Sequence, residues 1–270
     1  MIEIVVIEIE SIVGFASVQD GGRPGHMHEG VPPGGALVPE RLATANAAAR
    51  NPPGAAAIEF AGTIAVTARG SLLLGTDAGA THALGDGETR AFAGKERFVH
   101  YLAVRGGLDV PRVLGGRGTL VVAALGGHEG RPLRRGDRLP VGGEPPDAAP
   151  ARSLPETPRG PVRVVLGPDL YRFDANAIDV LLGSTFLVDA RSDRVGTRLS
   201  GPRLVSTPEP AAASAPMVRG AIQVPPSGEA IVLGPDHPTT GGYPVIATVV
   251  HAHLGSLASL RVGATVRFAS

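Results

Sequence analysis

Short apolar runs, broken every few residues by clusters of Gly, Pro and Asp, limit this chain to a fold of short strands and tight turns. Runs such as Val162–Leu166, Ala230–Leu233 and Val245–Val250 are rich in β-branched residues and too short for helices, and turn-forming residues bound them. Thirty-eight glycines and 25 prolines supply that punctuation. Further strands are expected at Met1–Glu10, Thr63–Leu74 (broken at Arg69-Gly70), Arg97–Arg105, Leu120–Ala124, Thr185–Val188, Ala221–Val224 and Thr265–Phe268. Helices are few. Pro39–Arg50 has proline in its first turn and Asn51-Pro52-Pro53 beyond its end, while Ala175–Leu182 follows Asp174 as a possible N-cap and Leu254–Leu260 is a third. The pattern is mainly β, of barrel or sandwich type.

The chain is long enough for one large domain or two small ones. The stretch 144–161 carries six prolines in X-Pro or Pro-Pro steps and little that packs, and is read as a linker between an N-terminal half at 1–143 and a C-terminal half at 162–270. A formal net charge of zero and no Lys/Arg-rich tract argue against nucleic acid as a partner. With no cysteine there is no disulfide, thiolate nucleophile or Cys-ligated metal. The N-terminal run is apolar but acidic, unlike a signal peptide, and no apolar run reaches the ~20 residues needed to span a bilayer, so no membrane association and a cytoplasmic location are expected. Lys95 is the only lysine and Gly94-Lys95 runs into Glu96, so no Walker A loop is present, nor a Met-Lys-Met-like site for biotin attachment. Phosphate or carboxylate must then be handled by arginine and backbone amides.

Four segments combine glycine with polar side chains. Ala16–Arg41 runs from strand to helix through a stiff Gly/Pro loop able to hold Gln19, Asp20 and Arg23 against a ligand, or simply to carry an Asp–Arg pair at the surface. Asp77 ends a buried run, where a carboxylate needs a partner or caps a turn. Asp193, Arg194 and Arg198 lie on a turn, as a site or as a surface ion pair. Thr239, Thr240, Gly241, Gly242 and Tyr243 form either an anion nest or a hairpin loop. His26 and His28, and His251 and His253, would share a face if on strands, but no zinc spacing accompanies them and no metal site is expected. No Gly-x-Ser-x-Gly elbow supports a serine nucleophile.

Taken in order, Gln19-Asp20-Gly21-Gly22-Arg23-Pro24-Gly25, Gly30–Ala36, Asn51-Pro52, Gly106-Gly107-Leu108-Asp109-Val110-Pro111, Ser192-Asp193-Arg194-Val195-Gly196, Gly220–Pro226 (with Gln223) and Thr239-Thr240-Gly241-Gly242-Tyr243-Pro244 resemble the family called allophanate hydrolase subunit 2, which also contains the C-type subunit of 5-oxoprolinase. The same module forms part of the biotin-dependent carboxyltransferase domain of urea amidolyase. The resemblance covers roughly Ile12 to Phe268 and implies two related cyclophilin-like β-barrel halves. It also implies a subunit 1 or B-type partner and, in 5-oxoprolinase, a third lactam-utilisation subunit, with ATP and Mg²⁺ used to open 5-oxo-L-proline to L-glutamate. On it Asp20, Arg23, Asp193 and Arg194 become candidate catalytic residues. Gln19, Asp77, Arg198, Gln223, Thr239, Thr240, Gly241, Gly242 and Tyr243 become candidates for binding substrate or nucleotide. The alternatives it implies are biotin-dependent carboxyl transfer and a non-enzymatic regulator that binds a histidine-kinase inhibitor. The sequence departs from the family pattern at Thr197, at Arg117-Gly118-Thr119-Leu120 and at Asp236-His237-Pro238, which bears on ligand choice.

Overall fold

The structure is a computed structural model and describes residues 5–94, 98–143, 160–207 and 214–270. The expected linker thus lies outside the described residues except for its last two positions. The chain forms two compact units, Met1–Pro24 with Gly34–Pro155, and Gly25–Pro33 with Glu156–Ser270.

In the first unit strands β1 (Val6–Gln19), β2 (Ala57–Arg69), β3 (Leu72–Thr76), β4 (Thr81–Leu84), β5 (Thr89–Ala93), β6 (His100–Val104) and β7 (Arg138–Pro140) make one sheet. Its order is β4-β3-β6-β2-β1-β7, and β5 also pairs with β2. β1 and β2 run antiparallel from Val6 opposite Arg69 to Gln19 opposite Ala57, with a bulge between Ile9 and Ser11. At mid-length Gly14 faces Gly62, and both have positive φ. A Cβ on Gly14 would lie 2.2 Å from the Ala61 carbonyl oxygen, and one on Gly62 2.1 Å from that of Val13. Only glycine fits this bend. Here β2 changes neighbour, from β6 along Ile58–Phe60 to β5 along Thr63–Thr67. The sheet curls around Ile7, Ile9, Val18, Ile58, Ile64, Val66, Leu74 and Leu102.

Helix α1 (Pro39–Ala48) carries proline in its first turn and buries Leu42, Ala43, Ala45 and Asn46. Its far end is tied down by amides. Asn46 Nδ2 donates to the carbonyls of Pro53 and Ala55, and Asn51 Nδ2 donates to Asn46 Oδ1 and the Val104 carbonyl. At its near end buried Glu59 accepts from the Leu37 amide at 2.8 Å and the Tyr101 hydroxyl at 2.7 Å, while that hydroxyl accepts from the Val38 amide. Each of these polar groups is out of water, so each depends on the others.

The second unit holds β8 (Val162–Leu166), β9 (Phe186–Val188), β10 (Gly196–Ser200), β11 (Ala215–Pro216), β12 (Ala221–Gln223), β13 (Ala230–Leu233), β14 (Thr240–Gly241), β15 (Val245–Val249), β16 (Thr265–Val266) and β17 (Phe268–Ala269), with helices α2 (Ala177–Gly183) and α3 (His251–Ala258). Eight strands follow the order β16-β9-β10-β13-β12-β15-β8-β17. β16 and β17 are separated by Arg267 alone, so one short C-terminal segment pairs with both edges and brings the sheet to near closure as a barrel. Leu199, Ile222, Ala230, Val232, Ile246 and Phe268 fill its interior.

Several local expectations are corrected. Leu120–Ala124 is not a strand; Val121–Ala123 form a 3₁₀ turn that ends with Ala124 at φ 49°. His251 and His253 begin α3 rather than ending a strand, so His251 is exposed and His253 buried. The N-cap position of α2 is Asn176, whose amide donates to Asp174 Oδ1.

Replacing Glu59 by Ala removes the carboxylate that accepts from the Leu37 amide and the Tyr101 hydroxyl inside the unit. Urea unfolding is expected to show a loss of about 2–4 kcal/mol. Val13→Ala, at a position 71% exposed, is expected to cost less than about 0.5 kcal/mol.

Candidate functional site

The first unit contains Gln19, Asp20, Arg23 and Asp77 among the residues singled out from sequence. Asp20 Oδ1 accepts from the amides of Gly22 (2.8 Å) and Gly118 (3.1 Å), and Oδ2 accepts from the amide of Arg117. Its carboxylate therefore clips two loops together across nearly 100 residues of sequence. Arg23 is 1% exposed and donates to the Gly118 and Val113 carbonyls. Gln19 is fully buried and donates to Ser17 Oγ and the Thr119 carbonyl. Asp77 forms an ion pair with Arg41 and lies 3.5 Å from His100 Nδ1, a half-buried trio in which neither Arg41 nor His100 was singled out from sequence. What links these groups in sequence is only the alternation of strand β6 and the first turn of α1.

The second unit contains Asp193, Arg194, Arg198, Gln223 and Thr239–Tyr243. Asp193 does not make a surface pair with its neighbour. Its Oδ1 accepts from the amides of Val195 and Gly196 and closes the turn. Arg194 instead forms a two-pronged fork with Asp236, Nε to Oδ2 at 2.8 Å and Nη2 to Oδ1 at 3.0 Å, with both residues buried. The Asp236 amide also donates to the Arg194 carbonyl. This pairing ties the entry to β10 to the loop that follows β13. Asp236 is the partner that sequence reading did not assign, although it opens the Asp236-His237-Pro238 run preceding Thr239.

That loop, 234–239, leaves β13 and returns as β14. The Met217 amide donates to the Thr239 carbonyl, and β14 pairs with β11, Ala215 opposite Gly241. Gly241 sits directly on Gln223, and a Cβ there would lie 2.7 Å from Gln223 Nε2. Gln223 Nε2 also contacts Met217 Sδ at 3.0 Å. Thr240 and Tyr243 are exposed, Gly242 likewise, and Thr239 is half-buried.

Strand register fixes a row on the outer face of this barrel. Leu199, Val232, Ala230 and Ile222 point inward, so the alternate residues Arg198, Ile231 and Gln223 point outward. Arg198 and Gln223 are both opposite Ile231, on β10 and β12. Two strand spacings, about 10 Å, separate their backbones. Beside the row Met217, Ala221, Leu233 and Val245 make a small apolar cluster. No hydrogen bond or ion pair among the described residues holds the half-buried Arg198 guanidinium. The row therefore brings together a cation, apolar surface and the amide of Gln223, which is buried beneath Gly241.

Asp189 supports the turn that carries Arg194. It receives the fork of Arg191 at 2.8 and 2.9 Å, the Arg191 amide and the Ser200 hydroxyl. The Arg191 guanidinium, then its amide and Ser200, hold the Asp189 carboxyl far below the usual carboxylate range. In the first unit, burial pushes the Asp137 carboxyl up, but the Arg131 fork, the Arg134 amide and His128 outweigh it and leave it below that range. Among the described residues, no group of three or more His, Asp or Glu is placed to hold a metal ion. No helix among them is long and apolar enough to cross a membrane.

Comparison with known proteins follows the same lines. A model of the family described as carboxyltransferase domain, subdomain A and B, matches residues 29–270. The C-type subunit of the Escherichia coli (strain K12) 5-oxoprolinase is 34% identical over 272 residues, 94% of this chain and 87% of that protein. Urea amidolyase of Lachancea kluyveri is 29% identical over 196 residues, 62% of this chain and 10% of that protein. Among solved structures, TTHA0988 has a TM-score of 0.85 at 30% identity, covering 100% of this chain and 56% of that one. The urea carboxylase of Kluyveromyces lactis has a TM-score of 0.88 at 25% identity, covering 99% and 27%. This chain thus spans about half of the first structure and about a quarter of the second.

A folded pKa held down, as at Asp189, stabilises fully above the unfolded value of about 4, and that contribution drains as pH falls toward the folded value. The difference in urea midpoint between wild type and Asp189→Asn is therefore expected to be constant from pH 7 to 5 and to shrink between pH 4 and 2.5. A difference that grows in acid would contradict the assignment.

Proposed function

This chain belongs to the carboxyltransferase domain family, subdomains A and B, and on that basis we propose that it is the C-type subunit of an ATP-dependent 5-oxoprolinase. The observation that carries this reading is the outward row Arg198–Ile231–Gln223. Near-full-length likeness to the C-type subunit of a 5-oxoprolinase supports it. A small cyclic amide bearing a carboxylate matches the row in kind. Arg198 would take the carboxylate, Gln223 the amide, and Ile231 with the neighbouring apolar cluster the ring carbons. A lactam is a poor electrophile, and transfer of a phosphoryl group to its carbonyl oxygen activates it for ring opening.

Asp20, Arg23, Asp193 and Arg194 enter this proposal as positioning residues, because their polar atoms hold loops. The described carboxylates do not supply a cage for the nucleotide's Mg²⁺, since Asp20 is taken up by three amides and Asp236 by Arg194. No step in this chain is therefore routed through the metal. ATP, the B-type partner and the third subunit belong to the proposed assembly. Carboxyl transfer is the second reading, and the match to the urea carboxylase fold favours it. It would require a biotinylated carrier and no ATP consumption at this subunit.

The purified chain, mixed with its B-type partner, the third subunit, ATP and 5-oxoproline, is expected to release glutamate. No release from a well-formed complex would contradict the proposal, and transfer from a carboxybiotin carrier would select the rival. Arg198→Ala is expected to raise KM for 5-oxoproline roughly 10–100-fold, the value of a charge-assisted contact, and to leave kcat within about threefold.

A further inference from the structure

Helix α1 covers the outer face of the first unit's sheet, and the cover stops short. Gly75 on β3 lies directly under the helix, where a Cβ would come within 2.2 Å of the Ala45 carbonyl oxygen. The Thr81 hydroxyl on β4 donates to the Ala48 carbonyl at 3.0 Å and holds the helix end in place. Leu73, two residues before Gly75, points to the same outer face, because Leu72 and Leu74 point into the core. It stands opposite Ala83 on β4, and its carbonyl accepts from the Arg105 amide just past the end of β6. Arg105, Leu73 and Ala83 thus make a row across three strands.

A cavity of about 490 Å³ opens over that row, closed in by Arg50, Val5 and Val141. Among the described residues its lining holds two arginines and no carboxylate. Asn51 brings the two arginines together. Its Oδ1 accepts from the Gly106 amide at 2.9 Å and its Nδ2 donates to the Val104 carbonyl at 2.7 Å, so the residue after Arg50 is bonded on both sides of Arg105. Arg50 follows the C-cap of α1 with φ 58°, a left-handed position where glycine is favoured. Its side chain is exposed, and no hydrogen bond or ion pair among the described residues holds the guanidinium. An arginine kept in a strained backbone position, with its head group turned to no internal partner, points to a role for that side chain.

We propose that this cavity binds a small organic anion, a carboxylate on a hydrocarbon body. Arg50 takes the carboxylate as a two-pronged fork, and Arg105 adds its charge to the same wall. Leu73, Ala83 and Val141 cover the hydrocarbon. The cavity has the size and the mix of apolar wall and few polar groups that small-molecule sites have. An inorganic anion would leave the apolar wall unused, and a neutral hydrocarbon would leave Arg50 unmatched. The site is built within the first unit and is independent of the reading given to the row of the second.

Hexanoate is the probe, and inorganic phosphate and hexanol each present one of its two features. In ¹³C-methyl NMR of the full chain, the Leu73 and Val141 signals are expected to move saturably with hexanoate. Phosphate and hexanol are each expected to bind at least about tenfold more weakly, having lost the apolar or the charge-assisted contact. Arg50→Gly removes the guanidinium and places the favoured residue at the left-handed position. It is expected to weaken hexanoate at least about tenfold while the thermal unfolding midpoint stays unchanged or rises. Ala83→Asp leaves both arginines in place and sets a negative charge in the lining, and it is expected to weaken hexanoate by a similar factor. A wild-type chain whose signals do not move, variants that bind hexanoate as wild type does, or phosphate or hexanol binding as tightly as hexanoate would each overturn the proposal.

Discussion

The buried fork between Arg194 and Asp236 is the interaction on which the second unit's outer face depends. Two charges removed from water are tolerable only if paired with good geometry, and the planar guanidinium meets the carboxylate through two bonds. Loss of either partner would leave the other charged and buried. The fork holds the turn before β10 to the loop after β13, and these carry Arg198 on one side and His237 and Gly241 on the other. Asp193 closes the turn from within, and Asp189 with Arg191 braces it from the exposed side.

The first unit uses its polar residues in a similar way. Asp20 gathers three amides, Arg23 reaches carbonyls of a loop some 90 residues away, and Glu59 with Tyr101 fixes the approach to α1. The Gly/Pro loop after β1 is stiff because its side chains are anchored as well as because of its backbone. In our reading these groups shape the protein, and the Arg198 guanidinium, which no hydrogen bond or ion pair among the described residues holds, meets the ligand.

Much of the architecture was legible from sequence. Val162–Leu166 and Ala230–Leu233 were read to the residue because β-branched runs with sharp boundaries have few alternatives. Leu120–Ala124 looked the same in composition, yet Ala124 takes a left-handed turn that no glycine announces and Val122 stands 73% exposed. β5 was missed because its residues are mostly exposed and only the pairing with β2 makes it a strand. The polar residues singled out from sequence have other partners than their neighbours in the chain. Asp193 and Arg194 are adjacent in sequence, but the partner of Arg194 lies 42 residues on, and the partners of Asp20 are backbone amides that carry no side-chain signature.

The outward row of the second barrel is the centre of this account. Its most direct test is a crystal structure of the assembled complex with 5-oxoproline bound. The account predicts the ligand over Ile231, with its carboxylate on Arg198. A bound ligand that does not touch Arg198 would contradict it.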